Sequence, residues 1–390
     1  MSFIDISEGR IAVSSGSKSL VFQEGSDGPI VLELPSVRPE LKENKPTKPV
    51  AVADESKNVV LGLRFSPCGK WFAVYSSAKQ LVLWETASWT LASERYMPKT
   101  ATSLKFTPDS QDVIIVDKAG DAVQFSLKDL LKEGEVILGH LSMLLDVVLT
   151  PDGKKIITCD RDEKIRISHY PNAYNIISYC LGHKEFVSSL NLLPHKPSVL
   201  LSASGDSTIR LWDFLSGQAL ASYDCSLDVS KQLSVNGTSL TQVENDLSSS
   251  VIVHKVCSSK INDNSSLVCV LFYGYNGLLV YRIIDNNFEL IQAVLVEETV
   301  LDFCFRINGE LVIRLANNVL QSLLYKCTAT NITFSSSSEK PTKFVTKINE
   351  ILEKDKDQFV TSSNVPQLLK RKFDNVKEYY QQKKARLGEQ

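Results

Sequence analysis

The sequence predicts an all-β fold, a seven-bladed β-propeller followed by a basic α-helical tail, and three observations support this prediction. A unit of about 40 residues recurs along the chain, each copy is a succession of short strands and turns, and the composition becomes polar and then basic after residue 335. Of the 390 residues, 43% are hydrophobic and 23% are charged, which suits a protein with a large core. The formal net charge of −2 excludes a chain that is basic throughout.

The repeat is clearest between residues 138–168 and 181–212, which both begin Leu-Gly-His and both contain Ile-Arg near their end. Weaker copies occupy residues 63–85 and 104–126. A turn proline marks each copy, at intervals of 41, 43 and 43 residues: Pro67, Pro108, Pro151 and Pro194. A period of 40–45 residues built from short strands is typical of a β-propeller of the WD-repeat kind.

Each copy alternates apolar runs with Pro-Asp-Gly-like or polar turns and ends in an alternating strand, the pattern of a four-stranded meander. Two polar stretches, 35–57 and 225–248, are expected to be flexible insertions. Without them, residues 1–335 contain about seven units of about 42 residues each. The blades without a clear repeat are then expected at the two ends of the ring, over 4–34, 250–291 and 294–330.

Two of the copies carry polar side chains typical of a WD blade, where they form a hydrogen-bonded tetrad between the leading loop and the third strand. In the copy at 181–212 they are His183, a serine at 202 or 204, Asp206 and Trp212. In the copy at 138–168 we expect His140, Thr158 and Asp162 to begin the same arrangement, with Ser168 at the tryptophan position. Because buried polar groups are normally paired, we interpret these histidines as structural rather than catalytic.

No pattern in the chain indicates an active site. We find no nucleophile elbow, zinc-binding helix, phosphate-binding loop or dinucleotide fingerprint, and the eight cysteines form no Cys-x-x-Cys pair. The N-terminus shows no secretory signal, and the free thiols suit a reducing compartment. We therefore expect a non-enzymatic binding or scaffolding role, with no cofactor and no metal on this chain.

The turn at 160–166, Asp-Arg-Asp-Glu-Lys-Ile-Arg, is much more charged than its counterpart at 204–210, Ser-Gly-Asp-Ser-Thr-Ile-Arg. Such a turn lies at one rim of a propeller, where partners commonly bind and where charges of both signs give specificity. Lys118 lies on the equivalent turn of the preceding copy. The simpler interpretation is a solvated turn without a partner, since exposed ion pairs contribute little to stability.

The chain after Ser335–Ser338 is expected to be a linker over 336–365 and a basic helix over 366–390. This last segment contains seven Lys and Arg residues against three Asp and Glu, a net charge of +4. Its apolar residues recur at helical spacing: Leu369, Phe373, Val376, Tyr380 and Leu387. The helix could reach phosphates with its basic face, or it could simply pack on its own propeller.

At five places the chain resembles the WD-repeat non-catalytic subunit of the tRNA (guanine-N7)-methyltransferase: residues 138–147, 160–166, 181–188, 204–212 and 373–387, the last reading FDNVKEYYQQKKARL. The resemblance implies a nuclear heterodimer. In that family a separate Rossmann-type subunit binds S-adenosylmethionine and forms 7-methylguanosine in the tRNA variable loop. The propeller stabilises that subunit in an active conformation.

The resemblance also implies roles for residues of this chain. The docking surface for the catalytic subunit would comprise Lys118, Asp162, Glu163, Lys164 and Arg166. The tail would lie near the partner and the tRNA through Lys370, Arg371, Lys372, Phe373, Lys377, Lys383, Lys384 and Arg386. No membrane is expected as a partner. The alternative is a general WD-repeat adaptor, such as a ubiquitin-ligase substrate receptor or a chromatin-associated scaffold.

Overall fold

The computed structural model describes residues 3–37, 58–236, 251–306, 309–317, 319–327, 332–336, 343–353 and 368. Over these residues the chain forms 28 β-strands in seven antiparallel sheets of four strands each, and two α-helices. Each sheet is built from four consecutive strands, so the sheets are blades 1 to 7 of a propeller in chain order. The predicted seven-bladed β-propeller is confirmed, whereas the basic helical tail predicted over 366–390 lies outside the described residues, apart from Leu368.

The first four blades cover the N-terminal half of the chain. Their strands are β1 (Ile4–Ser7), β2 (Arg10–Ser15), β3 (Lys18–Gln23), β4 (Ile30–Glu33); β5 (Val60–Phe65), β6 (Trp71–Ser76), β7 (Gln80–Glu85), β8 (Leu91–Tyr96); β9 (Ala101–Phe106), β10 (Asp112–Asp117), β11 (Asp121–Ser126), β12 (Glu135–Gly139); and β13 (Leu144–Leu149), β14 (Lys155–Asp160), β15 (Ile165–His169), β16 (Ile176–Cys180).

The remaining three blades include the two that the repeat predicts only weakly. Their strands are β17 (Val187–Leu193), β18 (Lys196–Ser204), β19 (Thr208–Asp213), β20 (Gln218–Asp224); β21 (Val253–Asn262), β22 (Ser265–Phe272), β23 (Gly277–Ile284), β24 (Asn287–Leu295); and β25 (Val300–Phe305), β26 (Leu311–Leu315), β27 (Leu320–Cys327), β28 (Ile332–Ser336). Helix α1 (Ser226–Asn236) follows blade 5, and helix α2 (Lys343–Leu352) follows blade 7.

The turn prolines mark the connection between the first and second strands of a blade. In blade 4 the Pro-Asp-Gly turn joins β13 to β14, and Gly153 adopts a positive φ of 63°, a conformation that glycine allows without strain. The Gly153 N–H donates to the Thr150 carbonyl oxygen at 2.8 Å, and the Thr150 N–H donates to the Lys155 carbonyl oxygen at 3.0 Å. The local turn chemistry thus fixes the hairpin from which the meander continues.

The core is a ring of apolar layers, most of them between neighbouring blades. Between blades 4 and 5, for example, Ile157 and Ile167 from one sheet lie in the same cluster as Leu190, Leu200 and Trp212 from the other. Strand residues therefore bury both faces of each sheet, which explains the near-continuous apolar runs in the sequence. Burial between blades leaves the turns, the connections and the outermost fourth strands, such as β20, as the main exposed surfaces.

Blades 7 and 1 close the ring without exchanging a strand. The Ile4 N–H of blade 1 donates to the Asp302 carboxylate of blade 7 at 3.1 Å. Helix α2 packs across this seam, with Val345, Ile348 and Leu352 buried in one cluster with residues of both blades. Part of the segment predicted as a linker is therefore a helix that covers the ring closure.

Helix α1 lies in the stretch predicted as a flexible insertion at 225–248, so the first part of that stretch is ordered against the propeller. Cys225, the residue before the helix, and Val229 within it are buried in the cluster between blades 5 and 6, and the Val229 N–H donates to the Cys225 carbonyl oxygen at 3.1 Å. The Asp228 carboxylate accepts hydrogen bonds from the hydroxyls of Tyr223 and Tyr281. Of the two helices in the described ranges, neither is long and apolar enough to cross a membrane.

Candidate partner-binding rim

The charged turns predicted to bind a partner lie side by side on one face of the ring. We call this the upper face: it carries the turns between the second and third strands of each blade and the connections from one blade to the next. Lys118 is exposed on the turn between β10 and β11 of blade 3. Asp162, Glu163 and Lys164 occupy the corresponding turn of blade 4.

The connection from blade 3 to blade 4 joins the two turns through backbone hydrogen bonds. The His140 N–H donates to the Gly120 carbonyl oxygen at 2.8 Å, and the Arg161 N–H donates to the Met143 carbonyl oxygen at 2.9 Å. Gly120 is required by this close approach, because a Cβ atom there would lie 2.6 Å from the carbonyl oxygens of His140 and Ser142. The turns and the connection therefore form one continuous surface.

Leu141 lies on that connection, between the two charged turns, and its side chain is fully exposed. We call Lys118, Leu141, Asp162, Glu163 and Lys164 the docking rim. An apolar side chain surrounded by charged groups is the usual anatomy of a protein interface. Leu141 is not among the residues predicted from the sequence, although the sequence contains a signal: the residue after the tetrad histidine is Leu141 in blade 4 and Lys184 in blade 5.

An aspartate at the end of the second strand holds each charged turn in shape. In blade 3 one Asp117 carboxylate oxygen accepts the N–H groups of Ala119, Gly120 and Asp121 at 2.8–3.1 Å. In blade 4 one Asp160 oxygen accepts the N–H groups of Asp162 and Lys164 at 2.9 and 3.0 Å. Each turn is therefore fixed from inside by a buried carboxylate.

Asp160 also completes the histidine arrangement of blade 4, and the prediction that Asp162 does so is wrong. The second Asp160 oxygen lies 2.9 Å from His140 Nδ1, and Thr158 Oγ1 lies 2.8 Å from His140 Nε2. A carboxylate at the end of β14 reaches both the imidazole and the turn, so the arrangement does not require Asp162. Asp162 belongs to the half-buried turn instead.

Arg166 lies inside blade 4, away from the turn that carries the charged residues predicted with it, and we do not include it in the docking rim. It is 7% exposed, and its guanidinium donates to Ser168 Oγ at 3.0 Å, the Gly139 carbonyl at 3.0 Å and the Ala173 carbonyl at 2.9 Å. The resemblance placed Arg166 with its neighbours in the turn. The strand register instead pairs it with Thr158, on β14, and with Tyr179, on β16.

Blade 5 contains the complete tetrad that the sequence predicts, with Ser202 as its hydroxyl. His183 Nδ1 lies 3.0 Å from an Asp206 oxygen, His183 Nε2 lies 2.7 Å from Ser202 Oγ, and the Trp212 indole N–H donates to the same hydroxyl at 2.8 Å. Burial lowers the pKa of His183 below its usual value, although Asp206 opposes the shift. Burial also disfavours the charged form of Asp206, but hydrogen bonds from His183, Thr208 and Lys184 hold the pKa of Asp206 well below its usual range.

The carboxylates of the inner strands are also structural, because each one links two blades. Asp5 of blade 1 accepts the Phe65 N–H of blade 2 at 2.7 Å, and Asp146 of blade 4 accepts the Leu190 N–H of blade 5 at 3.0 Å. Asp302 repeats the contact at the ring closure and also pairs with Lys255. Within the described part of the chain, no group of three or more His, Cys, Asp or Glu residues could hold a metal ion.

The predicted tail residues lie outside the described residues: Lys370, Arg371, Lys372, Phe373, Lys377, Lys383, Lys384 and Arg386. The structure does describe Leu368, which lies against the upper face. Its carbonyl oxygen accepts a hydrogen bond from Arg161 Nε at 3.0 Å. This contact brings the start of the predicted tail helix to the turn that carries the docking rim.

A known family and several known proteins are similar to this chain in sequence. The family described as "tRNA methyltransferase TRM82 WD40 domain" matches residues 123–319, half of the chain. The tRNA (guanine-N(7)-)-methyltransferase non-catalytic subunit wdr4 of Xenopus laevis is 32% identical over 388 residues, which is 98% of this chain and 93% of that protein. The human protein of the same name is 38% identical over 213 residues, 54% of this chain and 51% of that protein.

A chain in the crystal structure of a mitotic checkpoint complex has the same fold, with a TM-score of 0.62 and 14% identity over 80% of this chain and 86% of that one. The fold and the tetrad define the chain as a WD-repeat β-propeller. The sequence relatives then identify its family: the chain belongs to the WD-repeat non-catalytic subunits of tRNA (guanine-N7)-methyltransferase. This result supports the main prediction and not the general adaptor.

Proposed function

We propose that this chain docks the catalytic subunit of a tRNA (guanine-N7)-methyltransferase on its docking rim and keeps that subunit in an active conformation. The observation that carries the proposal is the fully exposed Leu141 between two charged turns of fixed shape. Leu141 supplies an apolar anchor, and the charges of both signs around it select the partner and set its orientation.

The rim is suited to this role because it is rigid before binding. Asp117 and Asp160 fix the backbone of the two turns by five hydrogen bonds of 2.8–3.1 Å. A preformed surface loses little conformational entropy on association, so more of the interaction energy is available to the complex. That energy favours whichever conformation of the partner fits the rim, which raises the active population without a reacting group on this chain.

The proposal assigns the remaining parts of the reaction to the complex. The catalytic subunit binds S-adenosylmethionine, the two subunits bind the tRNA together, and the complex works in the nucleus. The chain supplies no acid, base or nucleophile to the methyl transfer.

Substitutions on the rim test the proposal, with a matched control in blade 5. Leu141→Asp places a charge at the centre of the rim, and Lys184→Asp creates the same side chain at the equivalent position of blade 5, where Lys184 is also exposed. We expect Leu141→Asp to weaken the heterodimer about tenfold or more, and the double variant Asp162→Lys with Glu163→Lys to do the same. Lys184→Asp should bind as the original chain does.

The measurements are calorimetric affinity for the purified catalytic subunit and methyl transfer to tRNA by the mixed subunits. Thermal unfolding of each variant alone should be unchanged, since all four residues are on turns or connections. If Leu141→Asp and the double variant both bind the catalytic subunit with the original affinity, the docking rim is not the contact surface.

A further inference from the structure

The first strands of the blades are the inner strands that the carboxylates join around the ring, so they line its central channel. Two of them, β5 and β9, carry a cation at the same position, directly before the phenylalanine that ends the strand: Arg64 and Lys105. A third cation, Lys255, lies on β21 of blade 6. The channel therefore receives cations from blades 2, 3 and 6.

The carboxylates of these strands belong to the channel wall. Asp5, Asp146 and Asp302 are only 8%, 9% and 5% exposed. Each one accepts a backbone N–H from the next blade, at 2.7, 3.0 and 3.1 Å respectively. Asp146 also accepts the Ser103 hydroxyl at 2.7 Å. The three carboxylates balance the formal charge of the three cations, but their oxygens are already occupied by donors within the wall.

The cations keep more accessible surface than the carboxylates with which they pair. The Arg64 side chain is 33% exposed against 11% for Asp5, and the Lys255 side chain is 24% exposed against 7% for Asp302. Arg64 Nη1 donates to Asp5 at 2.7 Å, and the guanidinium carries further N–H groups on Nε and Nη2. Because these side chains stand on inner strands, their accessible donors line the lumen of the channel.

Lys105 is the cation of this set that has no partner of its own. It is half-buried, and within the described ranges its ammonium forms no hydrogen bond and no ion pair. Burial lowers the pKa of Lys105 below its usual value, and the charges of Arg64 and Lys255 lower it further. The charges of Asp146 and Asp5 oppose the shift without reversing it. The Lys105 ammonium therefore lies within electrostatic reach of both other cations, although Lys255 belongs to a blade across the channel.

We infer that the central channel binds a small inorganic oxyanion of the phosphate class, held by Lys105 together with Arg64 and Lys255. A tetrahedral oxyanion has acceptor oxygens on every side, so it can accept charge-assisted hydrogen bonds from cations of three different blades. Its charge offsets the repulsion between Lys105 and the other two cations, and these bonds are stronger inside the ring than in bulk water. The ion links blades 2, 3 and 6 across the channel. This inference goes beyond the proposed function and concerns this chain alone.

Binding is tested on the purified full-length chain without a partner, by calorimetric titration with inorganic phosphate at constant ionic strength. We expect saturable binding of a single phosphate ion per chain. The unfolding temperature should rise with phosphate concentration, because the ion binds the folded chain and not the unfolded one. Sodium chloride at the same ionic strength should give no such rise. The absence of saturable phosphate binding in the millimolar range would overturn the inference.

Lys105→Met tests the position of the ion, because it removes the ammonium and keeps a long side chain. This variant should bind phosphate about tenfold more weakly or worse, and Lys105→Arg, which keeps a cation, should bind it more tightly than Lys105→Met does. In chloride alone Lys105→Met should unfold at the temperature of the original chain or above it, since no hydrogen bond or ion pair is lost.

The matched control is Lys128→Met, the same change at an exposed lysine of blade 3, and it should bind phosphate as the original chain does. If Lys105→Met keeps the original phosphate affinity, or if Lys128→Met loses as much affinity as Lys105→Met, phosphate does not bind at this place in the channel. Either result leaves the proposed function untouched, because the heterodimer is measured separately through the docking rim.

Discussion

Blades 4 and 5 have the same topology and strand register, yet they use the same positions differently. In both blades a histidine from the connection before the blade binds a carboxylate and a hydroxyl of the second strand or the turn after it. Blade 5 completes the set with the Trp212 indole, whereas blade 4 has Ser168 there, and the Ser168 hydroxyl accepts a hydrogen bond from Arg166 Nε.

In blade 4 the arginine of the third strand and the charged turn before it have different roles. The arginine at the strand position is drawn into the blade and bonds three oxygens, so it stabilises the fold. The charges of the turn are left at the rim, where Asp160 fixes the backbone that carries them. Blade 5 has the standard tetrad and a turn with little charge. Under the proposed function, blade 4 adds a charged partner-binding turn to a structural framework that both blades share.

The largest expected effect comes from removing the tryptophan of blade 5. Trp212 is fully buried, and it donates to Ser202 while packing in the layer between blades 4 and 5. Trp212→Ala should lower the free energy of unfolding by about 4 kcal/mol, from the lost burial and the cavity that remains. Urea unfolding measures this value, with Leu215→Ala on the exposed turn of the same blade as the control. A cost near that of the control would mean that the tetrad of blade 5 is not a stabilising element.

The matched arginines of the two blades give the next largest effect. Arg166→Ala leaves two backbone carbonyls and the Ser168 hydroxyl without their donor, which should cost about 3 kcal/mol. Arg210 has the same strand position in blade 5, but it forms only a 3.8 Å ion pair with Asp206, a 3.2 Å bond to Thr208 and a stacking contact 5.9 Å from Trp212. Arg210→Ala should therefore cost about 1 kcal/mol or less.

Urea unfolding measures the free energy of unfolding of the two variants. An equal loss in Arg166→Ala and Arg210→Ala would contradict the expected difference between the two arginines. Arg166→Glu would weaken the proposed heterodimer by destabilising blade 4, so this variant does not test the docking surface. Leu141, Asp162 and Glu163 are the appropriate positions for that test.

The repeat period and turn prolines were sufficient to predict seven blades, because each copy must fold as one meander to bury its strands. The tetrad of blade 5 was predictable for the same reason: the spacing of His183, Asp206 and Trp212 determines where they meet. In blade 4 the same spacing predicted the wrong aspartate: Asp162 aligns with Asp206 in sequence, but Asp160 is the residue that binds His140. Two aspartates two residues apart offer alternatives that only the backbone of the turn distinguishes.

The direction of a side chain was the second feature that could not be predicted from the sequence. Arg166 belongs to a run of charged residues. Nothing in that run shows that its guanidinium donates hydrogen bonds to three oxygens inside the blade. Leu141 is the opposite case. It is an exposed apolar residue on a connection, whereas the docking surface predicted from the sequence consisted only of charged residues. Helix α2 was predictable from the sequence, since Val345, Ile348 and Leu352 recur at helical spacing. Its polar surroundings favoured the linker prediction.

The smallest expected effect is the pH dependence that the blade 5 tetrad contributes. A neutral His183 completes the chain of hydrogen bonds: Trp212 donates to Ser202, Ser202 donates to Nε2, and Nδ1–H donates to Asp206. Protonation would convert Nε2 into a donor and displace the Ser202 proton. Because burial lowers the pKa of His183 in the folded state, the unfolded chain binds more protons below about pH 6.5, the usual histidine value.

The stability from His183 is therefore fully present above about pH 6.5 and is lost as the pH falls, by at most about 1.4 kcal/mol at pH 5.5. The free energy of unfolding should be measured at pH 7.5 and 5.5 for the original chain and for His183→Gln, whose amide is neutral at both values. The pH difference should be smaller in the variant, although not zero, because burial also lowers the pKa of His254 in blade 6 to about 4. An unchanged pH difference in His183→Gln would show that the pKa of His183 is the same in the folded and unfolded chains. A larger loss of stability in the variant would show that the fold holds His183 charged, with Nε2 donating to Ser202.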